Sequence, residues 1–388
     1  MSAGLRMGLF TAAFFAAGGV ATAFLPIWLH DRGISAAEIG EILGFGSILR
    51  LGTGPAWGAA ADRLGRRRAM LFISALAATM MAASFPLAHG FFAVLGTVVL
   101  QGAAASALTP LADTLTLALA AARRLEYART RAWGSASYMV ATAAAGPLLG
   151  VFGTAAVPWL LAAGYGTAAC LAPLLPEPGR VVQGAGLPRA AGLWRLRPFR
   201  LTVAATALIQ GSHAAYYAFA PIYWRANGIS DTVIGLLIAE GIVAEIALFV
   251  WGRRLVERVG PARLTGVAAI ASLARWTATA FVTGVPILAA VQLLHAATFA
   301  FQHLSAMLVL GRTVPPGKAA SAQTLHAALG FSAPTGLLIW ATGLLYARGG
   351  GLMFLLMAAL GGSAVFLVRP LASALGDAAG KSSAAHVL

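Results

Sequence analysis

Residues 23–44 read AFLPIWLHDRGISAAEIGEILG, and the same pattern returns at residues 218–239 as AFAPIYWRANGISDTVIGLLIA. At a constant offset of 195 positions, the identical pairs include Phe24 and Phe219, Pro26 and Pro221, Ile27 and Ile222, Gly33 and Gly228, Ile34 and Ile229, Ser35 and Ser230, Ile39 and Ile234, and Gly40 and Gly235. The offset is about half of the chain, so the sequence indicates one ancestral half duplicated head to tail. In a membrane protein, two parallel halves are a transporter design with the substrate path between them.

The composition of the chain is that of a membrane protein. Hydrophobic residues make up 59% of it and charged residues 10%, with a mean hydropathy of +0.81, whereas soluble domains carry roughly 25% charged residues. Spanning a bilayer takes about 20 apolar residues, and backbone groups in lipid must be paired within a helix. The runs that meet this length are 5–29, 38–61, 68–87, 91–121, 131–152, 155–176, 199–224, 233–254, 264–283, 286–310, 322–346 and 350–368. We therefore expect an all-α integral membrane protein with twelve transmembrane helices in two parallel six-helix repeats.

A single long polar segment divides the chain. Residues 177–198 combine Pro, Gly and Arg, and they are predicted to form a cytoplasmic linker. Residues 1–176 would then form an N-terminal six-helix bundle and residues 199–370 a C-terminal one. Residues 371–388 are predicted to be a cytoplasmic tail.

The surplus of basic residues follows the predicted topology. When the loops alternate from a cytoplasmic N-terminus, 22 of the 27 Lys and Arg residues fall on the cytoplasmic side. This is the positive-inside rule, and it predicts a multi-pass protein of the bacterial inner membrane with both termini cytoplasmic. Anionic membrane lipids, rather than nucleic acid, are the expected partners of this surface. The single cysteine, Cys170, excludes an internal disulfide and a Cys-based metal site; no metal or cofactor is predicted.

The loop after the second predicted helix carries the strongest local motif. Residues 58–67 read GAAADRLGRR. Asp62 lies at a helix end, where it can accept hydrogen bonds from the N-terminus of a neighbouring helix, and Gly65 permits a tight turn. A degraded copy occurs in the second half as Gly252, Glu257, Arg258, Gly260 and Arg263.

With this motif the chain resembles the major facilitator superfamily, whose signature between helices two and three is G-x-x-x-D-R-x-G-R-R. The resemblance covers all twelve predicted helices. It implies an alternating-access transporter whose helices one, four, seven and ten line the substrate cavity. It also implies that the loop latches the cytoplasmic side. The predicted cytoplasmic gate motif consists of Gly58, Asp62, Arg63, Gly65, Arg66 and Arg67.

A second set of residues resembles the phenylpropionate permease branch of that superfamily. The set comprises residues 210–219 (QGSHAAYYAF), Ala244, Glu245, Ala274, Arg275, Trp276, His295 and His303. The resemblance implies import of aromatic or other small carboxylates with protons. The nucleoside:proton and oligosaccharide:proton symporter branches are also similar.

Arg50, Asp113, Glu245 and Arg275 lie deep inside predicted helices, where ionisable residues are expensive and are functional candidates. Glu240 lies nearer the periplasmic end and on another face than Glu245. Arg50 and Glu245 occupy equivalent positions of the repeat, so the two halves carry opposite charges there. Arg50 can pair with Asp113, and Glu245 with Arg275, because each pair neutralises charges that lipid does not tolerate. One interpretation is a carboxylate that takes up the proton beside an arginine that attracts a substrate anion. The alternative is that both pairs only stabilise their bundles.

Two polar stripes follow helical spacing. On predicted helix ten the stripe consists of Gln292, His295, Phe299 and Gln302. On predicted helix seven, Gln210, His213 and Tyr217 form the other. A histidine titrates near neutral pH and can relay a proton; the alternative is a neutral ring bound to a carbonyl. The candidate proton-coupling and substrate residues are Arg50, Asp113, Gln210, His213, Tyr217, Glu245, Arg275, Gln292, His295, Gln302 and His303.

Aromatic residues mark the predicted periplasmic ends of helices one and seven. Trp28, Tyr223 and Trp224 occupy positions typical of anchors at the membrane interface. Pro26 and Pro221 are expected to kink the same helix ends.

Together these features predict a secondary active transporter rather than an enzyme. It would move a small organic solute, an aromatic or other small carboxylate, by alternating access with proton symport, as a monomer. No Walker A loop occurs in the sequence, and no paired catalytic constellation stands out. The alternatives are proton-driven efflux of amphiphilic compounds, nucleoside or sugar proton symport, a lipid flippase on the same scaffold, and a membrane-embedded acyltransferase or protease.

Overall fold

The structure, a computed structural model, describes residues 1–122, 125–176, 192–315 and 318–385. These residues are almost entirely helical, and no β-strand occurs among them. The all-α class predicted from the sequence is therefore confirmed. Of the predicted linker, residues 177–191 lie outside the described residues, and so do residues 386–388 of the predicted tail.

The helices follow one another with short connections. Up to residue 176 they are α1 (Ala3–Asp31), α2 (Ala36–Leu64), α3 (Arg67–Ser84), α4 (Gly90–Ala105), α5 (Leu108–Ala121), α6 (Tyr127–Phe152) and α7 (Ala156–Leu171). From residue 192 onward they are α8 (Arg197–Gly211), α9 (Ala214–Ala226), α10 (Asp231–Trp251), α11 (Arg253–Val259), α12 (Pro261–Phe281), α13 (Val285–His295), α14 (Gln302–Thr313), α15 (Ala319–His326), α16 (Ala333–Gly349), α17 (Met353–Ser363) and α18 (Val368–Ala385). Two π-helical turns, Ala296–Phe301 and Ala327–Ser332, join α13 to α14 and α15 to α16.

Each of the twelve predicted spans coincides with a helical run. Eight helical segments of the described residues are long and apolar enough to cross a membrane, and the last of them, Ser321–Asp377, contains two predicted spans. The three predicted spans outside these segments, 38–61, 199–224 and 264–283, are formed by α2, by α8 with α9, and by α12. The predicted helical membrane architecture therefore matches the structure.

The sequence repeat is also visible in the backbone φ angles of equivalent glycines. Gly33 and Gly228 have φ angles of 77° and 82°, and Gly65 and Gly260 have φ angles of 64° and 79°. Positive φ angles favour glycine because it lacks a Cβ atom. Both pairs keep the sequence offset of 195 positions. The second pair differs in ψ, which is 18° at Gly65 and 159° at Gly260, so the copies share the positive φ there but not the whole turn.

The chain forms two compact units. Unit 1 consists of Met1–Ala185 with Tyr217–Ala239, and unit 2 consists of Gly186–Tyr216 with Glu240–Leu388. The seventh predicted span is thus shared between them, with α8 in unit 2 and most of α9 in unit 1. The bundle boundaries drawn from the sequence repeat stay a prediction.

An ion-pair network ties Tyr217–Ala239 to the rest of unit 1, at the end opposite the Arg-rich motif. Arg225 Nη1 lies 2.7 Å from Asp31 Oδ2, and Arg225 Nε lies 3.3 Å from Asp231 Oδ1. The Thr154 hydroxyl donates to the same Asp31 oxygen at 2.7 Å. Four side chains from α1, α9, α10 and the turn before α7 therefore meet at one point, and none of them was a candidate from the sequence.

Two of the predicted interfacial anchors are instead core residues. Trp28 is 3% exposed and Trp224 is 0% exposed. The Trp28 ring stacks on Phe85 with ring centroids 5.4 Å apart. The anchor prediction is wrong for these two residues because the ends of α1 and α9 are packed inside unit 1 instead of facing lipid.

The packing of α6 on the start of α10 gives a direct test. A Cβ atom added to Gly146 would lie 2.5 Å from the Asp231 carbonyl oxygen, whereas one added to Gly150, one turn later, would meet nothing within 4 Å. We expect Gly146→Ala to destabilise the protein by about 1–3 kcal/mol through overpacking. Gly150→Ala should be neutral or slightly stabilising, since alanine favours the helix by about 1 kcal/mol.

Thermal unfolding of the purified protein in detergent measures the difference. Equal unfolding temperatures for the two variants would contradict the close approach of α6 and α10.

Candidate functional site

Unit 1 contains a cavity of about 330 Å³ onto which Arg50 opens. Its wall combines aromatic rings, hydroxyl groups and small residues. The lining residues are Phe14, Phe15, Gly18, Arg50, Gly102, Ala105, Ser106, Leu108, Thr109, Tyr138 and Tyr165. The cavity therefore offers one full positive charge among aromatic and polar neighbours.

The Arg50 guanidinium is held by its own helix and leaves donors for a ligand. Its Nε donates to the Gly46 carbonyl at 3.1 Å, and its Nη2 lies 3.4 Å from Ser47 Oγ. An arginine has five N–H donors, so most of them remain available on the cavity side. No carboxylate of the described residues forms an ion pair with Arg50, and the titratable group that acts on it is the Tyr165 hydroxyl.

Asp113 does not neutralise Arg50, so the predicted Arg50–Asp113 pair is wrong. Asp113 Oδ1 lies 4.0 Å from Arg131 Nε, and Tyr127 also hydrogen-bonds this carboxylate. The Arg131 guanidinium in turn lies over the Phe15 ring, 4.3 Å from its centroid. The reason is that α5 and α6 are consecutive helices, and Asp113 faces the first turns of α6 rather than α2.

Unit 2 contains a fully buried cation, Arg275, on α12. Its Nη1 lies 2.9 Å from His295 Nδ1 and 3.1 Å from Thr298 Oγ1, and its Nη2 donates to Gln292 Oε1 at 3.0 Å. The guanidinium carbon also lies 4.7 Å from the Tyr216 ring centroid and 4.4 Å from that of Trp276. Polar acceptors at its edge and aromatic faces on its plane replace water around this charge.

His295 stands between Arg275 and Glu245. The His295 Nε2 atom lies 3.3 Å from Glu245 Oε2. Because arginine only donates hydrogen bonds, His295 Nδ1 must accept, and the neutral ring carries its proton on Nε2, which donates to Glu245. The predicted direct Glu245–Arg275 pair is therefore replaced by a bridged arrangement: two spans that carry opposite charges are joined through the histidine of a third.

His213 extends this cluster towards α8. Its Nδ1 lies 3.0 Å from the Ile209 carbonyl oxygen, so this nitrogen carries the proton, and its Nε2 accepts from Thr298 Oγ1 at 3.1 Å. Thr298 thus joins Arg275 to His213. The sequence reasoning missed Thr298, although it lies three residues after His295 and so on the same helical face.

The other candidate residues on these two helices do not join the Arg275 cluster. Gln210 donates to the Phe299 carbonyl at 3.3 Å, and Gln302 donates to Thr206 Oγ1 at 2.8 Å, both inside unit 2. Tyr217 belongs to unit 1, because the boundary between the units falls within α9, between Tyr216 and Tyr217. His303 is exposed, with the Phe249 ring 6.1 Å away.

The motif after α2 forms the corner between α2 and α3. Gly65 ends α2 in a left-handed conformation, and the Arg67 guanidinium donates to Asp62 Oδ1 at 2.8 Å. Gly58 lies within α2, while the side chains of Arg63 and Arg66 are exposed. The tight turn expected at Gly65 is confirmed. Among the described residues, no group of three His, Cys, Asp or Glu side chains could hold a metal ion.

Comparisons with known sequences agree on one family. Residues 5–357 match the family model described as "MFS_1 like family". The chain is 29% identical over 375 residues to a protein of Escherichia coli (strain K12) named "Probable 3-phenylpropionic acid transporter", and the match covers 94% of this chain and 96% of that protein. It is 31% identical over 275 residues to the maltose permease of Geobacillus stearothermophilus, which is 70% of each chain.

Solved structures share the fold at low identity. The nucleoside transporter NupG matches with a TM-score of 0.82 and 15% identity, over 96% of this chain and 99% of that one. A D-xylose-proton symporter matches with a TM-score of 0.73 and 14% identity, over 94% and 96%. The predicted twelve-helix fold of two six-helix repeats is therefore confirmed.

The bridging hydroxyl of Thr298 gives a test of the buried cluster. Thr298→Val keeps the shape of the side chain but leaves an Arg275 donor and His213 Nε2 without this partner. An unsatisfied buried polar group costs about 1–3 kcal/mol, so the unfolding temperature should fall. The matched control is Thr279→Val, since Thr279 is equally buried but donates only to the Arg275 carbonyl of its own helix, at 2.8 Å.

Thermal unfolding of both variants in detergent measures the effect. A Thr298→Val variant as stable as Thr279→Val would mean that the hydroxyl bridge contributes nothing.

Proposed function

The chain belongs to the MFS_1 like family of membrane transporters, and on this premise we propose that it carries a small aromatic carboxylate together with a proton across the bacterial inner membrane. That it is a transporter of small solutes and not an enzyme follows from the family and the relatives, and the resemblance found in the sequence is confirmed. The substrate class, the proton coupling and the inner-membrane location are the proposal.

The observation that carries the proposal is the Arg50 cavity. Guanidinium and carboxylate groups match in charge and planar geometry and form strong paired hydrogen bonds. Phe14, Phe15 and Tyr138 line the same cavity, so an aromatic ring attached to the carboxylate has apolar surfaces to contact. The cavity volume of about 330 Å³ lies within the usual range for small-molecule sites, roughly 300–1,000 Å³.

The relatives support the same substrate class. The name of the Escherichia coli relative specifies 3-phenylpropionic acid, an aromatic ring on a short carboxylate chain. This molecule has the two features that the Arg50 cavity would recognise. We therefore use 3-phenylpropionate as the first test substrate.

Proton coupling is assigned to Glu245. Its carboxylate accepts from His295, whose ring is oriented by Arg275. Protonation of Glu245 would remove the negative charge that this arrangement stabilises, and so change the energy of every state in which the cluster is assembled. A bound proton or substrate shifts a conformational balance only through a difference in affinity between the states. Coupling would follow because Arg50 and Glu245, at equivalent repeat positions, respond to the substrate and the proton respectively.

Both termini would be cytoplasmic, and the gate motif at residues 58–67 would latch that side during alternating access by a monomer. The distribution of Arg residues supports this orientation.

Sugar–proton symport is the second candidate, because the maltose permease match reaches 31% identity over 70% of the chain. A neutral sugar needs no cation in its site, so the role of Arg50 separates the two candidates.

Replacement of Arg50 tests the substrate class. Hydrogen bonds to charged groups contribute about 1.5–3 kcal/mol, and each 1.4 kcal/mol is tenfold in affinity. We expect Arg50→Gln to raise the KM for radiolabelled 3-phenylpropionate in proteoliposomes by about 10- to 100-fold. Arg50→Lys should retain part of the affinity. Arg348→Gln, which removes an exposed arginine in the last turn of α16, is the control.

Unchanged 3-phenylpropionate uptake by Arg50→Gln, or uptake of maltose but not of the acid by the wild type, would refute the anion proposal.

Replacement of Glu245 tests the proton site. Glu245→Gln should abolish accumulation driven by an imposed pH gradient but keep exchange of labelled for unlabelled substrate at equal pH, because exchange needs no net proton transfer. Glu240→Gln, five residues earlier on the same helix and on another face, is the matched control and should accumulate normally. Normal accumulation by Glu245→Gln would remove Glu245 from the coupling mechanism.

A further inference from the structure

The hydroxyl groups on the wall of the Arg50 cavity differ in how the protein itself uses them. The Ser106 hydroxyl donates to the Ala103 carbonyl at 2.7 Å, and the Tyr165 hydroxyl is hydrogen-bonded to a glutamine of α4. Thr109 lines the same cavity and is exposed. Its hydroxyl has no hydrogen-bond partner in the part of the chain that the structure describes.

The other threonines of α5 show what Thr109 lacks. Thr114 Oγ1 donates to the Pro110 carbonyl and Thr116 Oγ1 to the Ala112 carbonyl, both at 2.7 Å. Such a bond to the carbonyl one turn earlier is the usual way in which a threonine inside a helix uses its hydroxyl. The Thr109 hydroxyl is not bonded in this way, so it is available to a molecule in the cavity.

Thr109 and Arg50 meet the cavity at different heights. The wall residues of α4 and α5 recur every three or four positions, which is one helical face: Gly102, Ala105, Ser106 and Thr109. The two residues between these helices keep right-handed helical angles, so the face continues. A Cβ atom on Gly102 would lie 3.8 Å from Arg50 Nε. Thr109 follows seven residues later, about 10 Å further along the helix axis.

Aromatic side chains complete the wall of the cavity. Phe14 and Phe15 on α1 and Tyr138 on α6 line the same space as Arg50 and Thr109. A molecule whose carboxylate bonds the guanidinium can therefore pack its ring on these side chains. The ring atoms farthest from the carboxylate are then the ones that extend towards the free hydroxyl.

We propose that the Arg50 cavity selects aromatic carboxylates with a hydroxyl group at the far end of the ring, and that Thr109 recognises this hydroxyl. The inference rests on the proposed function, since Arg50 must hold the carboxylate. A threonine hydroxyl both donates and accepts, so it matches a phenol. An unsubstituted ring would displace water from Thr109 without replacing its hydrogen bond, and a site that bonds a substrate hydroxyl discriminates against the analogue that lacks it.

Competition between aromatic acids tests the selectivity. Each acid displaces radiolabelled 3-phenylpropionate from the purified full-length protein in detergent. We expect 3-(4-hydroxyphenyl)propionate to bind about 3- to 10-fold more tightly than 3-phenylpropionate, which is the net effect of one neutral hydrogen bond. In 3-(2-hydroxyphenyl)propionate the hydroxyl lies next to the carboxylate chain, so this acid should gain nothing.

Replacement of Thr109 tests the residue. Thr109→Val keeps the shape of the side chain and removes its hydroxyl, so the preference for the 4-hydroxy acid should disappear. Binding of 3-phenylpropionate itself should stay nearly unchanged, which a misfolded variant would not show. Thr114→Val is the matched control, because its hydroxyl bonds its own helix, and it should keep the preference.

The outcomes separate this inference from the proposed function. Equal binding of the 4-hydroxy and unsubstituted acids by the wild type overturns the selectivity alone. A preference that Thr109→Val keeps and Tyr138→Phe loses overturns the role of Thr109. A wild type that binds neither acid overturns the proposed substrate class, and this inference with it.

Discussion

A guanidinium buried away from water must have its charge balanced and its donors bonded, and in unit 2 this constraint is set by Arg275. His295, Thr298 and Gln292 bond its edge, and Tyr216 and Trp276 cover its faces. These partners come from α9, α12, α13 and the π-helical turn after α13. These five residues are thus not independent features, because all of them contact the same cation.

The two copies of the ancestral half carry residues of different chemistry at equivalent positions. Arg50 opens onto a cavity and keeps donors available, whereas Glu245 is bonded to a histidine inside a polar cluster. A charge that faces a cavity can be neutralised by an arriving ligand, whereas a carboxylate with a fixed donor responds to protonation. Under the proposed function, duplication followed by divergence at this one site would separate solute recognition from proton binding.

The sequence predicted the architecture correctly but was less successful in predicting side-chain contacts. The repeat, the helical spans and the turn at Gly65 follow from local chemistry and from the bilayer, so they could be read from one chain. The Arg50–Asp113 and Glu245–Arg275 pairs could not, because spacing along a helix gives the face of a residue but not which neighbour packs there. The unit boundary within α9 likewise separated Tyr217 from its predicted stripe, and burial of Trp28 in unit 1 overrode its interfacial character.

The interruption between α8 and α9 has a mechanical consequence. The chain passes from unit 2 to unit 1 between Tyr216 and Tyr217, only three residues after His213. The His213 ring is bonded to the Ile209 carbonyl of the helix that ends there. Because His213 is one of the two residues between α8 and α9, a change in the angle between these helices would reorient its imidazole directly through the backbone.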